Sequence, residues 1–409
     1  MHRISYERFS LVIHLLEFLG DKMKKALVAA AVAGAFAAAP AMAAELSTNI
    51  YWSQGIAVGD ITTSEATTAA NNGKVDQGGV NDGGGNRLMM TWSDTLDNGM
   101  GLTAYVGFGN LAFSNNVPSF TNNTVSLRNS HIALSGDHGT VAYGTTETMS
   151  ELDLIMDPMF GDYGAGADAI QYINVGQTGA NFTRRDGESI WWNSKEFNGF
   201  QLKAFYTFGP QTQTATADPD GLQLGIVYNS GPLMIGLNQA TYNDYASSMM
   251  EVAAGVGGAA VDPVEGNEGQ MTSFRATYDF GAFSVGGAVW DIEQSFSAGN
   301  EHTDSLAAVN NKYQVNGRMF IVKMPVASGT VWLQSSTLSD IDATVAATGV
   351  SASIRDSGKD GLDVGYVTPL NANVNAFVRY ASSETGVNFD ATDGATDTEE
   401  YMIGLQLSY

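Results

Sequence analysis

The chain has 409 residues, with 19 Lys+Arg against 43 Asp+Glu, a formal charge of −24 and no cysteine. So acidic a surface repels nucleic acid and does not dock on anionic lipid through a basic patch. Without Cys there are no disulfides, no thiol catalysis and no Cys-ligated metals, so backbone pairing and packing must hold the fold.

Met23-Lys24-Lys25, an apolar run at 26–39 and Pro40-Ala41-Met42-Ala43 follow one another near the start. A charged beginning, an apolar stretch of that length and an A-x-A site read as a secretory signal peptide over 23–43, cut after Ala43. The run is too short to span a membrane as a helix. Residues 1–22 do not fit such a peptide and read as a start codon placed too early. The remainder, 44–409, reads as one domain. The first 43 residues hold five basic and three acidic residues, so the rest carries 14 and 40, a formal charge of −26.

From residue 44 onward, segments with side chains alternating every second residue are separated by Gly/Asn/Asp/Ser-rich breaks. In 200–208 the apolar face is Phe200, Leu202, Ala204, Tyr206 and Phe208, opposite Lys203. In 222–228 it is Leu222, Leu224, Ile226 and Tyr228, opposite Gln223. In 274–280 it is Phe274, Ala276, Tyr278 and Phe280, opposite Arg275. In 374–380 it is Val374, Ala376, Val378 and Tyr380, opposite Phe377 and Arg379. The final segment places Tyr401, Ile403, Leu405, Leu407 and Tyr409 on one face. Roughly sixteen such segments are expected, each near the 9–11 residues that a tilted strand needs to cross a bilayer.

The breaks alternate in length. Short ones fall at 97–99, 136–139, 197–199, 231–232, 281 and 369–372. Long polar ones fall at about 61–85, 113–123, 147–187, 210–220, 247–270, 295–311, 340–360 and 384–400. Short turns at one end and long loops at the other mark a transmembrane barrel rather than a soluble sandwich. A closed barrel also supplies every backbone donor with a partner where there is no water. The expected fold is all-β: a transmembrane antiparallel β-barrel of about 16 strands.

The chain resembles the general trimeric porins of Gram-negative outer membranes over nearly all of 44–409. Arg87-Leu88-Met89-Met90-Thr91-Trp92, followed by Leu96-Asp97-Asn98-Gly99-Met100-Gly101-Leu102, is similar to the family's second strand, first turn and third strand. Residues 127–136 with 139–144 resemble its fourth and fifth strands. Ser189-Ile190-Trp191-Trp192-Asn193-Ser194 with Phe197-Asn198-Gly199-Phe200 resembles its sixth strand and the next turn, and 365–370, 374–380 and the terminal strand complete the match. Two positions depart from the pattern. Gly144 is followed by Thr145-Thr146-Glu147 where the family usually has Arg, and the chain ends in Tyr409 where Phe is usual. The resemblance implies an outer-membrane homotrimer in contact with outer-membrane lipid and lipopolysaccharide. It also implies a terminal aromatic, here Tyr409, read by the barrel assembly machinery.

A break as long as 147–187 is uncommon in a compact barrel and is usually functional. A short helix at 148–156, capped by Ser150, fits its start. By the resemblance, this third loop folds inward and narrows the pore. Glu147, Glu151, Asp153, Asp157 and Asp162 would then place carboxylates on one side of a constriction. Arg87, Arg184 and Arg185, with Lys203, Arg275, Arg318 and Arg379 at inward positions, would line the other, and Arg128 stands on a strand that reads both ways. A transverse field across such a mouth tunes ion preference while size excludes larger solutes.

The function expected is passive passage of ions and small hydrophilic solutes, with a weak preference for cations. A substrate-specific outer-membrane channel is the alternative within the class. It would need lumen aromatics for sugars, where only Phe377 and Trp290 leave the outward set, or a dominant basic mouth for phosphate. An outer-membrane barrel hydrolase is the alternative outside it. Of five His, His2 and His14 precede the cleavage site, His138 sits in a turn and His302 in an acidic loop, and His131 and Ser130 face opposite sides of a strand. No enzyme activity and no cofactor are expected. The acidic loops at 211–220, 291–304 and 391–400 offer oxygen ligands for Ca²⁺ but match no defined loop motif.

Overall fold

Asn198 and Gly199 both take positive φ, 50° and 84°. Phe197 and Phe200 bond to each other across them, N to O, at 2.8 and 2.9 Å. This is the Asn-Gly two-residue hairpin, whose twist matches that of its flanking strands. The computed structural model describes residues 45–64, 74–82, 87–109, 126–147, 149, 185–208, 220–244, 268–295, 311–345, 350–354, 358–385 and 395–408.

The first strands are β1 (Glu45–Ser64), β2 (Lys74–Asp82), β3 (Arg87–Thr95), β4 (Gly101–Gly109), β5 (Ser126–Gly136) and β6 (Gly139–Glu147). There follow β7 (Arg185–Asn193), β8 (Phe200–Thr207), β9 (Asp220–Ser230), β10 (Leu233–Asn243), β11 (Glu268–Asp279) and β12 (Ser284–Ser295). The last are β13 (Asn311–Val326), β14 (Gly329–Leu338), β15 (Ile341–Val345), β16 (Val350–Ile354), β17 (Lys359–Pro369), β18 (Val374–Thr385) and β19 (Ala395–Ser408). All pairings are antiparallel.

Sixteen of these strands close a ring. β1 pairs β3 from Glu45↔Ser93 to Tyr51↔Arg87, each strand then pairs its neighbour through β14, and β14 pairs β17. The ring shuts where β19 pairs β1 from Tyr51↔Ser408 to Ser64↔Ala395. The other three strands lie on the long-loop side. β2 pairs only the far half of β1, and β15, with β16 beside it, continues the ladder on β13 where β14 stops. The breaks expected at 61–85 and 340–360 therefore contain a strand and a hairpin, respectively. Val75-Asp76-Gln77 and Ile341-Asp342-Ala343 are too polar and too short to show a strand pattern in sequence, and pairing to a preformed edge supplies what the pattern lacks.

The outward face is apolar and open: Leu237, Phe320, Val378 and Ile403 are 47%, 52%, 50% and 63% exposed. In water such a surface would invite aggregation, whereas lipid is its natural solvent. At the short-turn end, rings gather in a girdle, with Phe200–Tyr228 centroids 4.5 Å apart and Phe280–Phe283 4.8 Å apart. Tyr380 and Tyr401, 4.8 Å apart, pair on the neighbouring outward surface of β18 and β19. The turns themselves are tied together: Lys195 pairs Asp137 at 3.1 Å, and Trp192 Nε1 donates to the His138 carbonyl at 3.0 Å.

Candidate functional site

Side chains opposite the apolar face line the inside of the ring, and most of the described ones are polar or aromatic. Gln223, Asn238, Ser273, Gln334 and Asp363 are all buried there. Lys203 shares its face with buried Phe205 and Thr207, and Arg275 with Met271 and Ser273, so both point inward. Arg87 does too. Its guanidinium stands 5.9 Å over the ring of Tyr51, whose hydroxyl accepts from inward Gln406 Nε2 at 2.6 Å.

Arg379 also faces inward, but it presents no open charge. It is 3% exposed and ion-paired with Asp363, which is fully buried and also accepts from Trp332 Nε1 at 3.1 Å. Trp332 can lie flat against the wall because Gly365 stands beneath it. A Cβ on Gly365 would fall 2.2 Å from the ring. Trp332, Phe377, Met402 and Val367 form an apolar cluster around this pair. Sequence reading missed Asp363, although its parity opposite Leu362, Val364 and Tyr366 marks it as inward.

Arg318 corrects the sequence reading. On β13 it shares its face with exposed Phe320, Met324 and Val326, while Gly317, Met319 and Ile321 on the other face are buried. It therefore points away from the lumen. Residues 319–322 are apolar on both faces, so alternation could not orient this strand.

Other expected site residues are placed only in part. Arg128 falls where the β4–β5 register shifts, with Gly107 opposite Asn129 and Phe108 opposite Leu127, so no β4 residue stands opposite it. Arg185 pairs Glu147 across the β6–β7 ladder, and neither side chain of Arg128 or Arg185 is described. Glu151, Asp153, Asp157, Asp162, Arg184, Tyr409 and the helix expected at 148–156, apart from Met149, lie outside the described residues. So do residues 1–43.

Two described residues show where the chain goes after β6. Glu147 Oε2 accepts from inward Asn129 Nδ2 at 2.5 Å. Met149 is buried, and its backbone N–H donates to Gln223 Oε1 on β9 at 3.0 Å. Strand order puts β7 and β8 between them, a separation of about three strand spacings, roughly 14 Å. Two residues span at most about 7 Å, so the chain turns inward at the end of β6 and the Gln223 side chain reaches back to meet it. Gln223 Nε2 in turn donates to Tyr242 OH on β10 at 2.7 Å.

The inner wall also carries more rings than alternation in the sequence revealed. Tyr105 stacks on His131 at 5.0 Å, His131 meets Trp191 edge-on at 4.9 Å, and Trp191 stacks over Phe205 at 6.4 Å. Tyr242, Trp290 and Trp332 are inward as well. His131 is thus held between two aromatic rings, with Ser130 on the opposite face of its strand. Among the described residues, no cluster of three or more His, Asp or Glu could hold a metal ion.

The sequence matches the model of the Gram-negative porin family over residues 26–409. No curated protein matches it in sequence. In structure it is similar to the anion-selective porin from Comamonas acidovorans, with a TM-score of 0.65 and 18% identity, covering 90% of this chain and 100% of that one. It is also similar to OmpT of Vibrio cholerae in its trimer form, with a TM-score of 0.58, 13% identity and 90% and 100% coverage. Salmonella typhi OmpF, solved with daunomycin, superposes with a TM-score of 0.56, 14% identity and 89% and 97% coverage. The chain therefore belongs to the Gram-negative porin family, as an outer-membrane channel protein built on a closed 16-stranded barrel.

Proposed function

We propose that this porin is a general diffusion channel: a homotrimer whose lumens pass ions and small hydrophilic solutes down their gradients, with no chemistry performed on them. The observation that carries the reading is the Met149–Gln223 hydrogen bond, because a chain that turns inward across the wall narrows the lumen there. A ring of 16 strands leaves an aqueous channel, so the inward segment sets its width. The trimer form of the Vibrio cholerae neighbour supports the oligomeric part. The family match, which begins at residue 26, is compatible with export through a signal peptide over 23–43. Tyr409 we read as the assembly signal, and lipopolysaccharide as part of the surrounding leaflet.

A weak cation preference is proposed from the excess of carboxylates, with Glu147, Glu151, Asp153, Asp157 and Asp162 facing Arg87, Lys203 and Arg275 across the mouth. A transverse field of this kind acts on every passing ion, more strongly where low-dielectric walls confine it. One observation favours the opposite preference: Arg87, Lys203, Arg275 and Lys323 all stand on the inward faces of their strands. Single-channel recording of the purified protein in a planar bilayer under a salt gradient tests both parts. Stepwise conductance in threes supports the trimeric porin, and the sign of the reversal potential chooses between the two preferences. Correctly folded protein that passes no current would sink the channel reading.

A further inference from the structure

On four adjacent strands the outward face changes from apolar to polar at one level. On β11 the change falls between Phe274 and Thr272, on β12 between Val289 and Asp291, on β13 between Phe320 and Arg318, and on β14 between Leu333 and Ser335. The polar side is the long-loop side, so this line marks the outer surface of the hydrocarbon layer. Arg318 sits on it, opposite Val289 on β12 and Thr337 on β14. Beside it is a shallow depression lined by Thr272, Phe274, Asp291, Asn316 and Thr337.

The charges around Arg318 are already engaged. Lys312 is ion-paired with Glu293, and Asp291 accepts from Gln314 Nε2 at 2.7 Å. The Arg318 side chain is exposed and makes no hydrogen bond, ion pair or ring contact with a described residue, alone in this among the Lys and Arg side chains described. A guanidinium at the edge of the hydrocarbon layer is a forked donor matched to phosphate oxygens. The apolar side chains just below it, Phe274, Val289 and Phe320, suit the acyl chains of the molecule that carries that phosphate.

We propose that Arg318 is a docking point for the phosphate of an outer-leaflet lipid, with Asn316 and Thr337 beside it as polar neighbours and Phe274, Val289 and Phe320 against the acyl chains. The site goes beyond channel function and needs only that the barrel be embedded in the membrane. It is a single local cation, not a basic patch, and the acidity of the rest of the chain leaves it as the favourable position for an anion on this face.

The test titrates the purified full-length protein in zwitterionic detergent with bis-phosphorylated lipid A and with the same lipid dephosphorylated. Bound lipid is counted by native mass spectrometry. Arg318→Gln is expected to weaken the phosphorylated lipid about ten-fold, as loss of one charge-assisted contact implies, with Arg318→Lys intermediate and the dephosphorylated lipid unaffected. Millimolar inorganic phosphate should not displace the lipid. Equal affinity of wild type and Arg318→Gln would overturn the proposal, as would equal weakening for both lipids or displacement by free phosphate. In the same preparations Arg318→Gln should leave conductance and reversal potential unchanged, and a change would return Arg318 to the pore and refute its outward placement. Lipid binding that depends on Arg318 in a protein with no conductance would sink the channel reading alone.

Discussion

Met149 and Gln223 are 74 residues apart in sequence, yet the backbone N–H of the first donates to the side-chain oxygen of the second over 3.0 Å. Gln223 is held in turn by Tyr242, whose ring lies so close over Gly221 that a Cβ there would come within 2.4 Å. A glycine, a flat ring and an amide thus fix the point where the chain turns into the lumen. Gln223→Leu keeps the volume but leaves the Met149 N–H and the Tyr242 hydroxyl buried without this partner, at about 1–3 kcal/mol each. The expected result is a normal yield of folded protein with noisier open-channel current and more frequent partial closures in single-channel records. Current noise equal to wild type would show that this contact does not hold the inward segment.

The buried Arg379–Asp363 pair makes a prediction about stability, not conduction. Asp363→Ala strands the guanidinium away from water, at about 3–5 kcal/mol. Exchanging both, Asp363→Leu with Arg379→Met, should recover most of that loss, because two well-packed apolar side chains replace a costly desolvated pair. Urea unfolding in micelles measures both. A single exchange no worse than the double would mean that water reaches the pair.

Gly365 carries a steric prediction. Gly365→Ala places a methyl inside the Trp332 ring position, so the indole must lift and release Asp363. The expected cost is about 1–3 kcal/mol of overpacking, with a red shift in tryptophan emission as the ring meets water. An unshifted spectrum with full stability would put the indole elsewhere.

Charge exchanges in the lumen should act in opposite senses. At about 8 Å in water a unit charge is worth about 0.5 kcal/mol to a passing ion, roughly a two-fold change in local concentration. Lys203→Gln with Arg275→Gln should therefore move the reversal potential toward cations by about that factor per charge. Amides at Glu151, Asp153 and Asp157 should move it toward anions. Either set leaving the potential unmoved would remove those residues from the conducting path.

At the short-turn end, the Lys195 ammonium donates to Asp137 and, by that bond and its charge, holds the carboxyl below the ordinary range. Because the folded value is depressed, the pair's stabilisation is present above the ordinary carboxylate range and is lost as pH falls through Asp137's lowered value. Both groups are exposed, so salt weakens the pair. Lys195→Met should return the Asp137 midpoint to the ordinary carboxylate range in a carboxyl NMR titration, and an unmoved midpoint would exclude Lys195 as the cause.

Much of this barrel was legible in the residues themselves. Alternation oriented Lys203, Arg275, Phe377 and Arg379, and Phe197-Asn198-Gly199 announced its own turn, because side-chain parity and local φ preferences depend only on near neighbours. Short and long breaks in alternation predicted which end carries turns and which carries loops. What tertiary structure decided is whatever depends on a strand's partner. The strand at 74–82 and the hairpin at 341–354 form against edges that the sequence does not name. Arg318 lies outward because β12 and β14 orient a strand whose own pattern, Met319-Phe320-Ile321-Val322, is apolar on both faces. Arg379 is neutralised because Asp363, 16 residues away, stands diagonally from it across the β17–β18 ladder, and Met149 reaches Gln223 only because the curve of the ring brings β6 and β9 around one lumen. Parity is a property of one strand, whereas pairing, closure and burial belong to the ring as a whole.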